Sequence, residues 1–176
     1  ANGKNSRVAL TGINASKAAL IISNSFSGSK YFEQIKRLIN CDSLHVIKKD
    51  SGEPTIKIIS TLLEELENFG PDYILALGGG SVIDSSKIAW ILYENSTVDL
   101  GAAIRPFSIP PLRGKSQFAA IPTTIGSGSE VSSAAVFMDL ETCSKKSIVS
   151  HDLLPDLVIL DPELVGELPK NILRTS

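Results

Sequence analysis

Short apolar runs alternate along this chain with longer segments whose hydrophobic residues recur at helical spacing. The first run, Ala18-Ala19-Leu20-Ile21-Ile22, is bounded by Ser23-Asn24-Ser25 and reads as a buried strand. Phe32, Ile35, Leu38 and Ile39 then share one face of a helix over residues 30–39, which Asn40 ends. Residues 44–47 give a second strand, and Ser51-Gly52-Glu53-Pro54 turns the chain into a helix that starts near Pro54. Ile56, Ile59, Leu62, Leu63 and Leu66 form its buried face, and Gly70-Pro71 stops it. A third strand, residues 73–77, runs into Gly78-Gly79-Gly80-Ser81 and a helix carrying Val82, Ile83, Ile88, Ala89 and Leu92.

Residues 95–115 contain Pro106, Pro110 and Pro111 and read as an irregular surface loop. Residues 117–121 form a fourth strand, ended by Pro122 and followed by the polar turn Thr123-Thr124-Ile125-Gly126-Ser127-Gly128-Ser129-Glu130. An apolar segment over 131–138, strands over 145–149 and 157–160, and a helical turn begun by Asp161-Pro162-Glu163 complete the pattern. Strand and helix in alternation predict an α/β fold: an open, mostly parallel, Rossmann-like sheet flanked by helices. Residues 1–16 are polar and lack a period, so they are expected as a poorly ordered tail before one domain spanning 17–176.

Composition narrows the function. Hydrophobic residues make up 43% and charged residues 20%, the balance of a globular domain rather than of a disordered one. Basic and acidic side chains number 17 and 19, for a net charge of −2, with no long run of either sign. No nucleic-acid or anionic-membrane surface is expected from that, and an anionic ligand would have to be held locally by backbone amides. Cys41 and Cys143 lack C-x-x-C spacing, and no apolar stretch reaches the roughly 20 residues of a membrane span. These features fit a reducing compartment, and a cytoplasmic location is the expectation.

The candidate chemistry lies at two strand ends. Gly78-Gly79-Gly80-Ser81 sits where a strand meets a helix, the point at which backbone amides and the helix dipole converge on an anion. Glycines there admit positive φ and close approach of a pyrophosphate, and the Ser81 hydroxyl can cap the helix or meet a phosphate oxygen. A ligand-free tight turn is the alternative for the same residues. The Thr123–Glu130 turn is a second polar loop at a strand's carboxyl end, where open α/β sheets bind ligands. Asp84 and Lys87, three residues apart on one helix, read as a surface pair, and His45 and His151 as surface residues.

Four blocks in order carry a more specific signal: residues 78–87, Pro122-Thr123-Thr124-x-Gly126-x-Gly128-Ser129-Glu130, Lys145-Lys146-x-Ile148, and Leu154-Pro155-Asp156 through Asp161-Pro162-Glu163-Leu164. Together they resemble the iron-containing (group III) alcohol dehydrogenases over roughly residues 17–176. The resemblance implies the dehydroquinate synthase-like N-terminal lobe and reversible hydride transfer between an alcohol or aldehyde and NAD or NADP. By position it implies cofactor contacts at Gly79, Gly80, Ser81, Asp84, Thr123, Thr124 and Ser127, and a catalytic or cofactor lysine at Lys146. Asn24 is a further cofactor contact that the resemblance implies; it stands where NAD-preferring relatives carry an aspartate, and since its amide could hydrogen-bond a ribose hydroxyl or a 2′-phosphate, NAD and NADP both stay open.

Family members continue into a helical domain that binds Fe2+ or Zn2+ through an aspartate and three histidines. This chain stops at Ser176, before that segment, and no metal ligand is assigned within it. An inactive fragment is therefore expected, with its uncovered face favouring a homo-oligomer. Glycerol dehydrogenases, maleylacetate reductases and dehydroquinate synthases share the lobe, so the substrate stays open. A non-catalytic nucleotide-binding module or pseudoenzyme is the alternative reading.

Overall fold

The computed structural model describes residues 9–165. Five parallel strands make the main sheet: β1 (Ala15–Ser23), β2 (Cys41–Lys49), β3 (Tyr73–Gly78), β4 (Gln117–Pro122) and β7 (Leu157–Val158), in the order β2-β1-β3-β4-β7. Residues 18–22 of β1 and 74–77 of β3 are wholly buried. That is why these strands read as continuous apolar runs rather than alternating ones: both faces of a parallel sheet are covered.

Three helices do the covering, each delimited by local chemistry. In α1 (Lys30–Leu38), Ser29 Oγ accepts the Tyr31 amide at 3.2 Å, and Phe32 and Ile35 turn onto one face of the sheet. In α2 (Ile56–Phe69), Thr55 caps the start by accepting the Ile58 amide at 3.4 Å. The helix therefore begins two residues after Pro54, and Gly70 ends it at φ +66°, a left-handed conformation that costs a side chain dearly. Ile59, Leu62 and Leu66 of α2 pack on the opposite sheet face, together with α3 (Gly80–Glu94). Each such residue, fully buried, contributes about 1.5–3 kcal/mol.

Three expectations from the sequence change. Leu10 and Ile13, read as part of a loose tail, are each 3% exposed and belong to the α1-side core; residues 1–8 lie outside the described residues. The proline-bearing stretch after α3 forms a short helix, α4 (Leu100–Ala103), and buries Ala103, Ile109 and Leu112, so it is a packed segment rather than a surface loop. Two charges fix it. The Glu94 carboxylate accepts the amides of Gly114, Lys115 and Ser116, while Arg113 lies over Trp90 and binds Asp156 Oδ1 at 2.6 Å. Finally, β5 (Ala134–Asp139) and β6 (Ser144–Val149) stand outside the main sheet as an antiparallel hairpin against α3. A last short helix, α5 (Pro162–Val165), closes the described chain.

Candidate functional site

The site assembles at the carboxyl ends of β3 and β4. These strands run in register, with Gly78 opposite Pro122, so the glycine turn and the hydroxyl-rich turn leave the sheet side by side. The Thr123 amide donates to the Gly78 carbonyl at 3.0 Å and locks the two exits together. The reason for glycine is then a matter of contact. A Cβ on Gly79 would lie 3.1 Å from the Thr124 side chain, and one on Gly80 would lie 2.9 Å from Ser127 Cβ and 3.0 Å from Ser129 Oγ. Gly78 would press on its own helix, 2.6 Å from Val82 Cγ2. None of the three adopts positive φ; that conformation falls instead on Gly126 and Gly128 of the second turn. Glycine at 78–80 thus serves close packing, not the left-handed backbone expected from the sequence.

Gly79 caps α3 with no side-chain bond, so the first amides of a fifteen-residue helix face an open cleft. The cleft measures about 490 Å³ and is lined by Glu53, Pro54, Gly80, Ser81, Asp84, Ser127, Ser129, Ser132, Ala134, Val136 and Lys145. Ser81 Oγ donates to the Gly52 carbonyl at 2.6 Å instead of capping the helix, which ties the loop after β2 to the glycine turn. Gly52 has φ +110°, the backbone that this approach needs. The same loop meets the hairpin where the Met138 amide donates to the Pro54 carbonyl at 2.6 Å.

Asp84 and Lys87 are not a surface pair. Asp84 Oδ2 accepts the Val136 amide at 3.2 Å and so anchors β5, and burial pushes its carboxyl above the ordinary value. Lys87 is 0% exposed, and its Nζ donates to the carbonyls of Ser129 (2.8 Å), Ser132 (2.6 Å) and Ala134 (3.3 Å). Burial lowers its pKa to about 8, against the opposing pull of Asp84 and Glu130. A charged lysine beneath the second turn therefore fixes the wall of the cleft. The sequence concealed this because α3 is buried on several sides, Ser85 and Ser86 included, and its polar residues mark no solvent face.

The lysine in the cleft is Lys145, not Lys146. In the hairpin Lys145 pairs with Met138 and Lys146 with Phe137, so Lys146 shares the side of buried Phe137 and Ile148, away from the cleft. Alternation counted back from Ile148 would have revealed this. Lys145 Nζ lies 3.0 Å from Glu53 Oε1, a contact across the cleft between the β2 loop and the hairpin. Neither residue had been given a role from the sequence. Thr123 is buried with its amide on β3, and Thr124 packs beside Gly79 and lines a second cavity of about 370 Å³, with Pro122, Ile125, Glu130 and Leu160, rather than the cleft. Asn24 follows β1 outside the cleft lining and donates through Nδ2 to Asp50 Oδ1 at 3.2 Å. His45 binds Glu65 at 2.8 Å on the surface, and no group of three or more His, Cys, Asp or Glu that could hold a metal occurs among the described residues.

A parallel sheet with a glycine turn, an uncapped helix and a polar cleft at its carboxyl edge defines the class of dinucleotide-binding α/β lobes. Comparison with known proteins narrows this. Residues 3–162 match the model of the family described as iron-containing alcohol dehydrogenase, and the chain belongs to that family. It is 30% identical over 173 residues to the NADPH-dependent butanol dehydrogenase of Clostridium saccharobutylicum, covering 97% of this chain and 45% of that protein. The iron-containing alcohol dehydrogenase of Thermococcus thioreducens superposes with a TM-score of 0.85 at 29% identity, over 99% of this chain and 47% of that one. The sulfoacetaldehyde reductase of Bifidobacterium kashiwanohense in complex with NAD+ superposes with a TM-score of 0.78 at 25% identity, over 90% of this chain and 42% of that one. The chain thus spans less than half the length of each of these relatives.

Proposed function

We propose that this chain is the cofactor-holding lobe of a metal-dependent alcohol dehydrogenase, binding NAD(P) with its diphosphate over the start of α3. The observation that carries the reading is the uncapped N-terminus of α3 opening into a polar cleft. Amides at a helix start present partial positive charge to an anion without any cationic side chain, which suits a chain of net charge −2. The hydroxyls of Ser127, Ser129 and Ser132 line the opposite wall and accept or donate to the same phosphates and sugar. Lys145 supplies a mobile cation at the rim, exchanging Glu53 for a phosphate oxygen as the ligand enters. A butanol dehydrogenase named for NADPH and a reductase holding NAD+ among the relatives support the cofactor class.

When bound, the nicotinamide accepts or gives the hydride. The protein's own part is to hold that ring's tether rigidly, which the Lys87 clamp and the locked strand exits achieve. The described residues offer no group of three or more His, Cys, Asp or Glu side chains that could hold a metal. Calorimetric titration with NAD+ and with NADP+ tests the proposal. Saturable binding of one or both, weakened by Lys145→Ala, is expected; no binding of either overturns it. The lobe by itself is expected to turn over no alcohol, and an alcohol-dependent rate without added metal would contradict that division of labour.

A further inference from the structure

Lys49, at the end of β2, is buried like Lys87 but less completely satisfied. It follows Ile47 by two residues and so shares the sheet face that α2 covers. Only 3% of it is exposed, and its Nζ donates to the carbonyls of Asp50 and Gly52, each at 2.9 Å. An ammonium has three hydrogens to give. Lys87 meets three carbonyls, whereas Lys49 has no third acceptor and no carboxylate partner among the described residues. A cavity of about 280 Å³ opens beside it, between the end of β2 and the first two turns of α2. We infer that this groove is a binding site for a phosphate group, free or as a monoester, with Lys49 as its buried donor.

The lining suits that ligand. Ser51, Thr55, Lys57 and the exposed Lys48 border the cavity with Lys49. Phosphate oxygens accept from ammonium and hydroxyl groups alike. Thr55 Oγ1 accepts the Ile58 amide at 3.4 Å, which leaves its hydrogen to donate, and Lys57 forms no ion pair among the described residues. Asp50 is the one carboxylate in the lining, and its Oδ1 already accepts the Asn24 amide at 3.2 Å. Three ammonium groups against that single carboxylate leave the groove positive. Burial lowers the Lys49 pKa despite the pull of Asp50 and Glu53, so those carboxylates do not make up for the water it has lost. An anion in the groove would supply the missing acceptor and the missing charge together. The groove shares no lining residue with the cleft at the start of α3, so it is separate from the diphosphate site and does not depend on the cofactor reading.

The test follows amide chemical shifts of the full chain, with excess NAD+ present, as inorganic phosphate, methyl phosphate or sodium chloride is added at matched ionic strength. Saturable shifts at residues 48–51 and 55–57 are expected with either phosphate and not with chloride. Lys57→Ala, on the exposed side of α2, should weaken phosphate affinity about fivefold, and Lys49→Met should abolish binding. Should Lys49→Met fail to fold, Lys57→Ala decides alone. Lys36→Ala, on α1 across the sheet, controls for the loss of one positive charge and should leave the affinity unchanged. Tighter binding of methyl phosphate would mark the natural ligand as a monoester, and tighter binding of inorganic phosphate would mark it as the free ion. Shifts that chloride reproduces, an affinity that Lys57→Ala leaves intact, or groove shifts that NAD+ suppresses would each overturn the assignment. Failure of NAD+ to bind would remove the cofactor reading and leave this one standing.

Discussion

On the floor of the cleft, Lys87 is wholly buried and its Nζ donates to the backbone carbonyls of Ser129 and Ser132 and of Ala134 at the start of β5. At the rim, Lys145 is 57% exposed and touches a single carboxylate that is 54% exposed itself. The same side-chain type does opposite work in the two places. A buried ammonium with several acceptors is costly to disturb because each partner would be left unsatisfied in a medium that excludes water. An exposed pair contributes roughly 0–1 kcal/mol and exchanges partners freely. The floor therefore determines shape, and the rim is free to meet a ligand.

The comparison can be broken first at the floor. Lys87→Met leaves three carbonyls without a donor and is expected to cost about 3 kcal/mol in urea denaturation, with cofactor binding lost as the 129–134 wall relaxes. A variant as stable as the natural chain would show that the clamp is incidental. Gly80→Ala is next, because its new Cβ meets Ser127 Cβ at 2.9 Å and drives the two turns apart. About 1–3 kcal/mol of destabilisation is expected, together with weaker NAD(P) binding by calorimetry.

A smaller effect should follow pH. Lys87 holds its proton with a pKa of about 8 in the fold against 10.5 ordinarily. Below about pH 8 both states are charged and the depressed pKa gives no slope; as pH rises from there toward 10.5, only the unfolded chain retains the proton, so stability from this group rises. The stability of the natural chain minus that of Lys87→Met should therefore be larger at about pH 9.5 than at about pH 7. An unchanged difference would mean that the lysine keeps its ordinary pKa. At the rim, Lys145→Ala is expected to alter stability by less than about 0.5 kcal/mol while weakening cofactor affinity several-fold. An equal loss of stability at both lysines would erase the distinction between floor and rim.

What the sequence made legible follows the same division. Strands such as 18–22 and 73–77 could be read because a doubly covered parallel strand is apolar throughout, and the glycine turn because it joins such a strand to a helix. The clamp could not be read, since Lys87 contacts carbonyls forty or more residues away and nothing local distinguishes it from a solvated charge. The choice of Lys145 over Lys146 depends on which face of a strand is covered. One step of register reverses that answer. The link between Asn24 and Asp50 likewise depends on β1 and β2 being neighbours, which the strand order supplies and the pattern of residues does not.

Amide hydrogen exchange with and without saturating NAD+ tests the central claim most directly, because it reads the backbone donors that the site is built from. The account predicts slower exchange at the start of α3, residues 80 and 81, whose amides lack the Gly79 carbonyl that Val82 and Ile83 use, and through the turn at 123–132. Unchanged exchange there while NAD+ is bound, or protection confined to other parts of the sheet, would contradict the placement of the diphosphate over this helix.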